Sequence, residues 1–157
     1  MAKLSLKEKF AFKFIFSEKK IYQRWYGRFL SFGIDYGRLR RVVTRIPNWL
    51  QWCNEWSKEG DELYKKAEQA LNEGYEFKAR ALFHEAVACY HIGQHIFFID
   101  SIQKQRTQEQ ARASYKRALN LYDEGERPIR IEIPFQGVKI PGYLRLLDTS
   151  NKPLIIF

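Results

Sequence analysis

The sequence predicts a mainly α chain with a small β part at its C-terminal end. Apolar residues recur at three- and four-residue spacing, stretch after stretch, as far as Asp123. Pro128 breaks that period, and Ile129, Ile131 and Ile133 then alternate with Arg130 and Glu132, the two-residue period of a strand. The last five residues, Pro153-Leu154-Ile155-Ile156-Phe157, form a continuous apolar run with a β-branched centre, as in a strand covered on both faces. Residues 1–127 are therefore expected to be helical and residues 128–157 to hold three strands.

Ser5 caps a first helix, Leu6 to Phe16, and Glu8 completes a capping-box pattern. A second helical run, Ile21 to Phe32, ends at Gly33, and Asp35 caps a third, Tyr36 to Arg45. Pro47 sits where a first-turn proline belongs and opens a long pattern, Asn48 to Asn72, closed by Gly74. Trp49, Trp52 and Trp56 share one face of it, which reads as core rather than as a ligand cage. Gly60 marks a kink or a close approach.

Tyr75 to Asp100 is the next helical stretch, with Phe83, Val87, Tyr90, Gln94 and Phe97 along one face. Arg106 to Asp123 follows, with Ala111, Tyr115, Ala118 and Tyr122 aligned. The strand Ile129 to Pro134 turns at Phe135-Gln136-Gly137 and returns antiparallel as Val138 to Leu146. Pro141-Gly142 inside it implies a bulge or an edge position. Asp148 to Asn151 is a polar loop before the final strand. Three strands cannot bury such an apolar edge, so the chain reads as the first part of a larger fold, cut before its sheet is complete.

Hydrophobic residues make up 45% of the chain and aromatics 16%, which excludes disorder. Cys53 and Cys89 lie far apart in helical patterns, as reduced thiols of a cytoplasmic protein do. Lysines at 3, 7, 9 and 13 leave no apolar leader, and no run is long enough to span a bilayer. The net charge of +9 resides in residues 1–46, where twelve Lys/Arg face Glu8, Glu18 and Asp35. Such a segment suits a solvated or partner-docking face; nucleic acid and membrane are the lesser expectations.

His84, His91 and His95 share a stripe of one helix. His91 and His95 stand four residues apart, a spacing that holds a metal, but His84 is two turns away, about 10 Å, and no other ligand completes a set. Nothing calls for a metal or another cofactor. Tyr90, His91, His95, Phe97 and Phe98 are the better candidates, as the wall of a substrate pocket. The chain shows no Gly-x-Ser-x-Gly elbow, no Gly-rich phosphate loop and no singled-out carboxylate pair, so no catalytic residue is assigned.

Asp35-Tyr36-Gly37-Arg38-Leu39-Arg40-Arg41-Val42-Val43, Ile46-Pro47-Asn48-Trp49-Leu50 and Trp52-Cys53-Asn54-Glu55-Trp56 resemble the N-terminal region of certain α/β-hydrolases. So do Tyr90-His91 with Phe97-Phe98, and the stretch from Glu132-Ile133-Pro134-Phe135 to Ile140-Pro141-Gly142-Tyr143-Leu144. The group resembled includes dihydroxypseudooxynicotine hydrolase, a carbon–carbon bond hydrolase, and esterase-like and polyketide-shortening relatives. The resemblance runs from about Phe32 to Phe157. It implies that residues 1–127 are a helical cap and residues 128–157 the first three strands of an incomplete α/β-hydrolase core. It further implies a Ser-His-Asp parent acting on a carbon–carbon (ketone) or ester bond, with the nucleophile, acid and histidine beyond this sequence and this chain alone inactive. A small aromatic or polyketide-like substrate would be the parent's ligand. The remainder of the hydrolase domain, or a second copy in a homo-oligomer such as a dimer, would be the chain's partner.

Two other classes remain open on residues alone. Tyr115-Lys116-x-Ala118-Leu119-x-Leu121 and, more loosely, Phe83-x-x-Ala86-Val87 resemble part of a tetratricopeptide repeat, as in a helical interaction module, but two partial copies fall short of an array. Residues 1–46 would suit a basic membrane- or nucleic-acid-binding segment.

Overall fold

The computed structural model describes residues 18–145, with side chains from residue 25 onward. The expected helix Leu6 to Phe16 and the final apolar run Pro153 to Phe157 lie outside these residues. Among the described residues, five α-helices precede a two-stranded antiparallel hairpin. They are α1 (Glu18–Ser31), α2 (Tyr36–Arg45), α3 (Trp52–Asn72), α4 (Glu76–His95) and α5 (Ser101–Leu119), followed by β1 (Ile129–Phe135) and β2 (Val138–Leu144).

The helix ends follow from local chemistry. Asp35 caps α2, its Oδ1 accepting the Arg38 backbone N–H at 2.8 Å. Asn48 caps a short 3-10 turn, Trp49–Gln51, that leads directly into α3. Pro47 therefore precedes the cap instead of occupying the first turn, because the Asn48 side chain takes the capping role. Gly74, at φ 83°, ends α3: its N–H reaches Leu71 O at 3.0 Å and the Tyr75 N–H reaches Ala70 O at 2.8 Å. This paired closure needs a left-handed residue, hence glycine.

α4 stops at His95, earlier than its apolar pattern suggests, and Phe97 and Phe98 fall in the connection to α5. Asp100 caps α5 by accepting the Gln103 N–H at 2.9 Å, so α5 starts at Ser101 and not at Arg106. The β-hairpin turns at Gln136 and Gly137, both with positive φ, the geometry that matches strand twist in a two-residue turn. Its register runs unbroken from Ile129↔Leu144 to Phe135↔Val138, with Pro141 opposite Glu132. Pro141-Gly142 thus makes no bulge; among the described residues β2 is an edge strand.

α4 packs between α3 and α5. The core holds Phe29 of α1, Leu39 and Val42 of α2, and the tryptophan stripe of α3 against Cys89, Tyr90 and Ile92 of α4. The Trp49 and Trp52 rings stack at 5.0 Å, and Trp52 Nε1–H donates to Ile92 O at 3.1 Å across the α3–α4 contact. A second apolar cluster packs Phe83 among Ala67, Ala70, Ala79 and Ala118, small residues that let the helices approach.

α2 is tied to the bundle by charge. Glu59 of α3, almost fully buried, receives Arg41 Nη2 at 3.1 Å and Arg45 Nη2 at 2.7 Å, with Arg38 Nη1 at 3.6 Å. Arg38 also reaches Glu85 of α4 at 2.8 Å. Three cations of the basic N-terminal region are therefore engaged within the fold.

Candidate functional site

The five sequence candidates divide among three surroundings. His91 and His95 stack at 5.2 Å on the side of α4 that α1 covers. Phe32 meets both edge-on, at 4.8 and 6.1 Å, and Trp25 meets His95 at 6.2 Å. Burial, then the neighbouring His95, push the His91 imidazole below its ordinary pKa, so it favours the neutral form. Phe97 is buried in the core, whereas Phe98 is 78% exposed with Lys104 Nζ over its ring at 4.1 Å. Tyr90 points to a different surface.

That surface is a groove of about 310 Å³ between α3 and α5, lined by Asp61, Tyr64, Tyr90, Gln110, Ala113 and Ser114. The Tyr90 ring fits against Gly60, where no side chain stands between α3 and α4. Its hydroxyl donates to Asp61 Oδ1 at 2.7 Å, and Gln110 Nε2 donates to the same oxygen at 2.9 Å. Burial, and then the Asp61 carboxylate, push the Tyr90 phenol far up, so it stays a donor. The Ser114 hydroxyl is fully buried and has no hydrogen-bond partner among the described residues.

A third cluster joins helices and hairpin. His84 Nε2 lies 3.0 Å from the Tyr122 hydroxyl, and its ring meets Tyr115 at 5.8 Å. Tyr115 in turn packs on Tyr143 of β2 at 5.0 Å. The Arg80 and Arg145 guanidinium groups sit over the Tyr122 ring at 4.3 and 5.9 Å. Burial, then Arg145 and Arg80, lower the His84 pKa and keep the imidazole neutral.

α5 ends at Leu119 and not at Asp123, so Tyr122 lies beyond the helix on which it was expected to align with Tyr115, and the meeting of these two tyrosines with His84 is not legible in the sequence. Asp61 and Gln110 stand 49 residues apart, and no local period announces their contact. Among the described residues no three His, Cys, Asp or Glu side chains come together to hold a metal, and no helix is long and apolar enough to cross a membrane.

No family model matches the chain. It is 28% identical over 121 residues to the alpha/beta hydrolase xenA of Xenoacremonium sinensis, covering 74% of this chain and 28% of that protein. Its fold matches the crystal structure of the 2,6-dihydroxy-pseudo-oxynicotine hydrolase with a TM-score of 0.61 and 23% identity, over 80% of this chain and 34% of that one. The chain thus spans about a third or less of the length of either relative. Over the part it shares with them, this mainly helical chain with its antiparallel hairpin is similar in sequence to the one protein and has the fold of the other.

Proposed function

We propose that the chain forms the cap and the first strands of a serine α/β-hydrolase that cleaves a carbon–carbon bond beside a ketone, or an ester bond. Residues 1–127 are the cap and residues 128–157 enter the catalytic core. The nucleophilic serine, the acid and the histidine are supplied by sequence outside this chain, which alone is inactive.

The observation that carries this reading is how the hairpin sits. Its polar face turns Tyr143 onto Tyr115 of α5. Its other face aligns Ile129, Ile133 and Phe135 with Leu144, Ile140 and Val138 by register, and five of these six are exposed. A hairpin held to a helical unit by one face, with the other face apolar and open, suits the start of a larger sheet. In the assembled hydrolase His91, His95 and Phe98 contribute to the pocket wall, Phe97 supports it from the core, and Tyr90 serves the α3/α5 groove. The substrate is a small aromatic or polyketide-like molecule.

The test begins with the gene downstream of the Phe157 codon. A longer product with a serine labelled by a fluorophosphonate probe is expected, while the purified 157-residue chain takes no label. Absence of a labelled serine in every product containing these residues would overturn the hydrolase assignment. In the longer product His91→Ala should raise KM; unchanged turnover and KM would remove His91 from the pocket.

A further inference from the structure

We propose that His84 is a pH-sensitive latch between the helices and the β-hairpin: the hairpin docks while the ring is neutral, and a proton on the ring loosens it. The apolar core does not hold the hairpin, since no residue of β1 or β2 belongs to either buried cluster of the helices. Two ring contacts reach across instead. Tyr143 of β2 packs on Tyr115 of α5 at 5.0 Å, and Arg145, just beyond β2, lies over the Tyr122 ring at 5.9 Å. Both receiving tyrosines rest on His84. Its ring meets Tyr115 edge-on at 5.8 Å, and its Nε2 lies 3.0 Å from the Tyr122 hydroxyl.

The charges around His84 all have one sign. Arg80 faces it from its own helix, Tyr115 from α5, Tyr122 from the segment after α5, and Arg145 from the end of the hairpin. Among the described residues no carboxylate pairs with His84, Arg80 or Arg145, and Glu132 of the hairpin is taken by Arg130 at 3.0 Å and Lys139 at 3.1 Å. A proton on His84 therefore adds a third cation to a half-buried site, where repulsion is screened less than at the surface. Arg80 is held by Leu121 O at 3.4 Å, whereas Arg145 is exposed and travels with the hairpin. Release carries Arg145 away and opens the imidazole to water, so protonation and release favour each other.

Burial, then Arg145 and Arg80, hold the docked ring below its ordinary pKa of 6.5. Docking is thus at full strength above about pH 6.5 and weakens as pH falls. The loss is about tenfold in the docking equilibrium for each pH unit between the docked and undocked pKa values, and it levels off beneath the docked value. The latch stands on the junction itself and holds whether or not the chain belongs to a hydrolase.

The test is amide relaxation dispersion by NMR on the full chain from about pH 7.5 to about pH 5, a method that reads exchange on the microsecond-to-millisecond scale. Amides of β1 and β2 should exchange with an open state whose population rises as pH falls, in step with the His84 ring titration, while α3 amides stay flat. His84→Asn keeps a neutral polar side chain and should abolish the pH dependence. Arg145→Gln removes the cation borne by the hairpin and should shrink the dependence, whatever it does to the open population at pH 7.5. The proposal is overturned if the hairpin amides show no exchange across the range, or if α3 amides follow them, since the whole chain then opens. It is equally overturned if either variant keeps the parent's full pH dependence.

Discussion

Replacing Gly60 by alanine would, in an open helix, stabilise the chain by about 0.8–1 kcal/mol. Here the opposite is expected. A Cβ at position 60 would lie 2.6 Å from Tyr90 Cε1 and 2.8 Å from Cδ1 and from Cζ. The ring cannot swing into solvent without cost: Tyr90 is only 2% exposed, and its hydroxyl is tied to Asp61 at 2.7 Å. Overpacking costs about 1–3 kcal/mol. Losing a hydrogen bond to a carboxylate adds about 1.5–3 kcal/mol if the ring has to leave it. Set against the helix gain, the balance is a loss of about 2 kcal/mol. Urea unfolding followed by tryptophan fluorescence reads this directly, because Trp52 and Trp56 are buried beside the contact. The decisive comparison is Gly60→Ala in a Tyr90→Ala background. With the ring gone, the same substitution should reverse sign and stabilise by about 0.5–1 kcal/mol. A higher midpoint for Gly60→Ala in the intact chain would refute the reasoning.

Glu59 gives a second prediction. Burial alone would raise its carboxyl pKa, but hydrogen bonds and charge from Arg41 and Arg45 outweigh burial and hold it low. Its stabilisation is present above the ordinary glutamate range and is lost as pH falls through the depressed value. Glu59→Ala leaves three guanidinium groups facing one another. Breaking a buried pair costs about 3–5 kcal/mol, reduced here to about 2 because the arginines are partly exposed; a urea midpoint unchanged from the parent would contradict this. His84 and His91 are both held below the ordinary histidine pKa. The unfolded chain therefore takes up protons that the folded chain resists, so stability falls as pH drops below about 6.5 and levels off beneath the folded pKa values. The slope should vanish in the double variant His84→Asn, His91→Asn; a slope that persists there belongs to other groups. Burial pushes the Cys89 thiol up to about 12 and raises that of Cys53. Both should resist Ellman's reagent in the native chain and react fully in denaturant, and fast native reaction of either would show that its site opens.

Much of the architecture is legible locally. The capping of α2 by Asp35, the closure of α3 at Gly74 and the turn at Gln136-Gly137 each depend on residues within one turn of one another. The tryptophan stripe is core as its spacing predicts, since an apolar face of that width must be covered. Where nearby signals compete, the pattern misleads. Phe97 continues the apolar period of α4, yet the helix has already ended, and Asp100 starts α5 early.

The existence and order of the helices and the hairpin within residues 18–145 were legible from period and caps, because those interactions reach only three or four positions along the chain, but the boundary between α4 and α5 and the end of α5 were not. Which side of α4 each candidate faces was settled by packing. One turn of that helix turns Tyr90 toward Asp61 and Gln110 and His91 toward Phe32. The groove, the buried Ser114 hydroxyl and the His84 junction exist only because side chains dozens of residues apart meet across helices, and no local period encodes that distance.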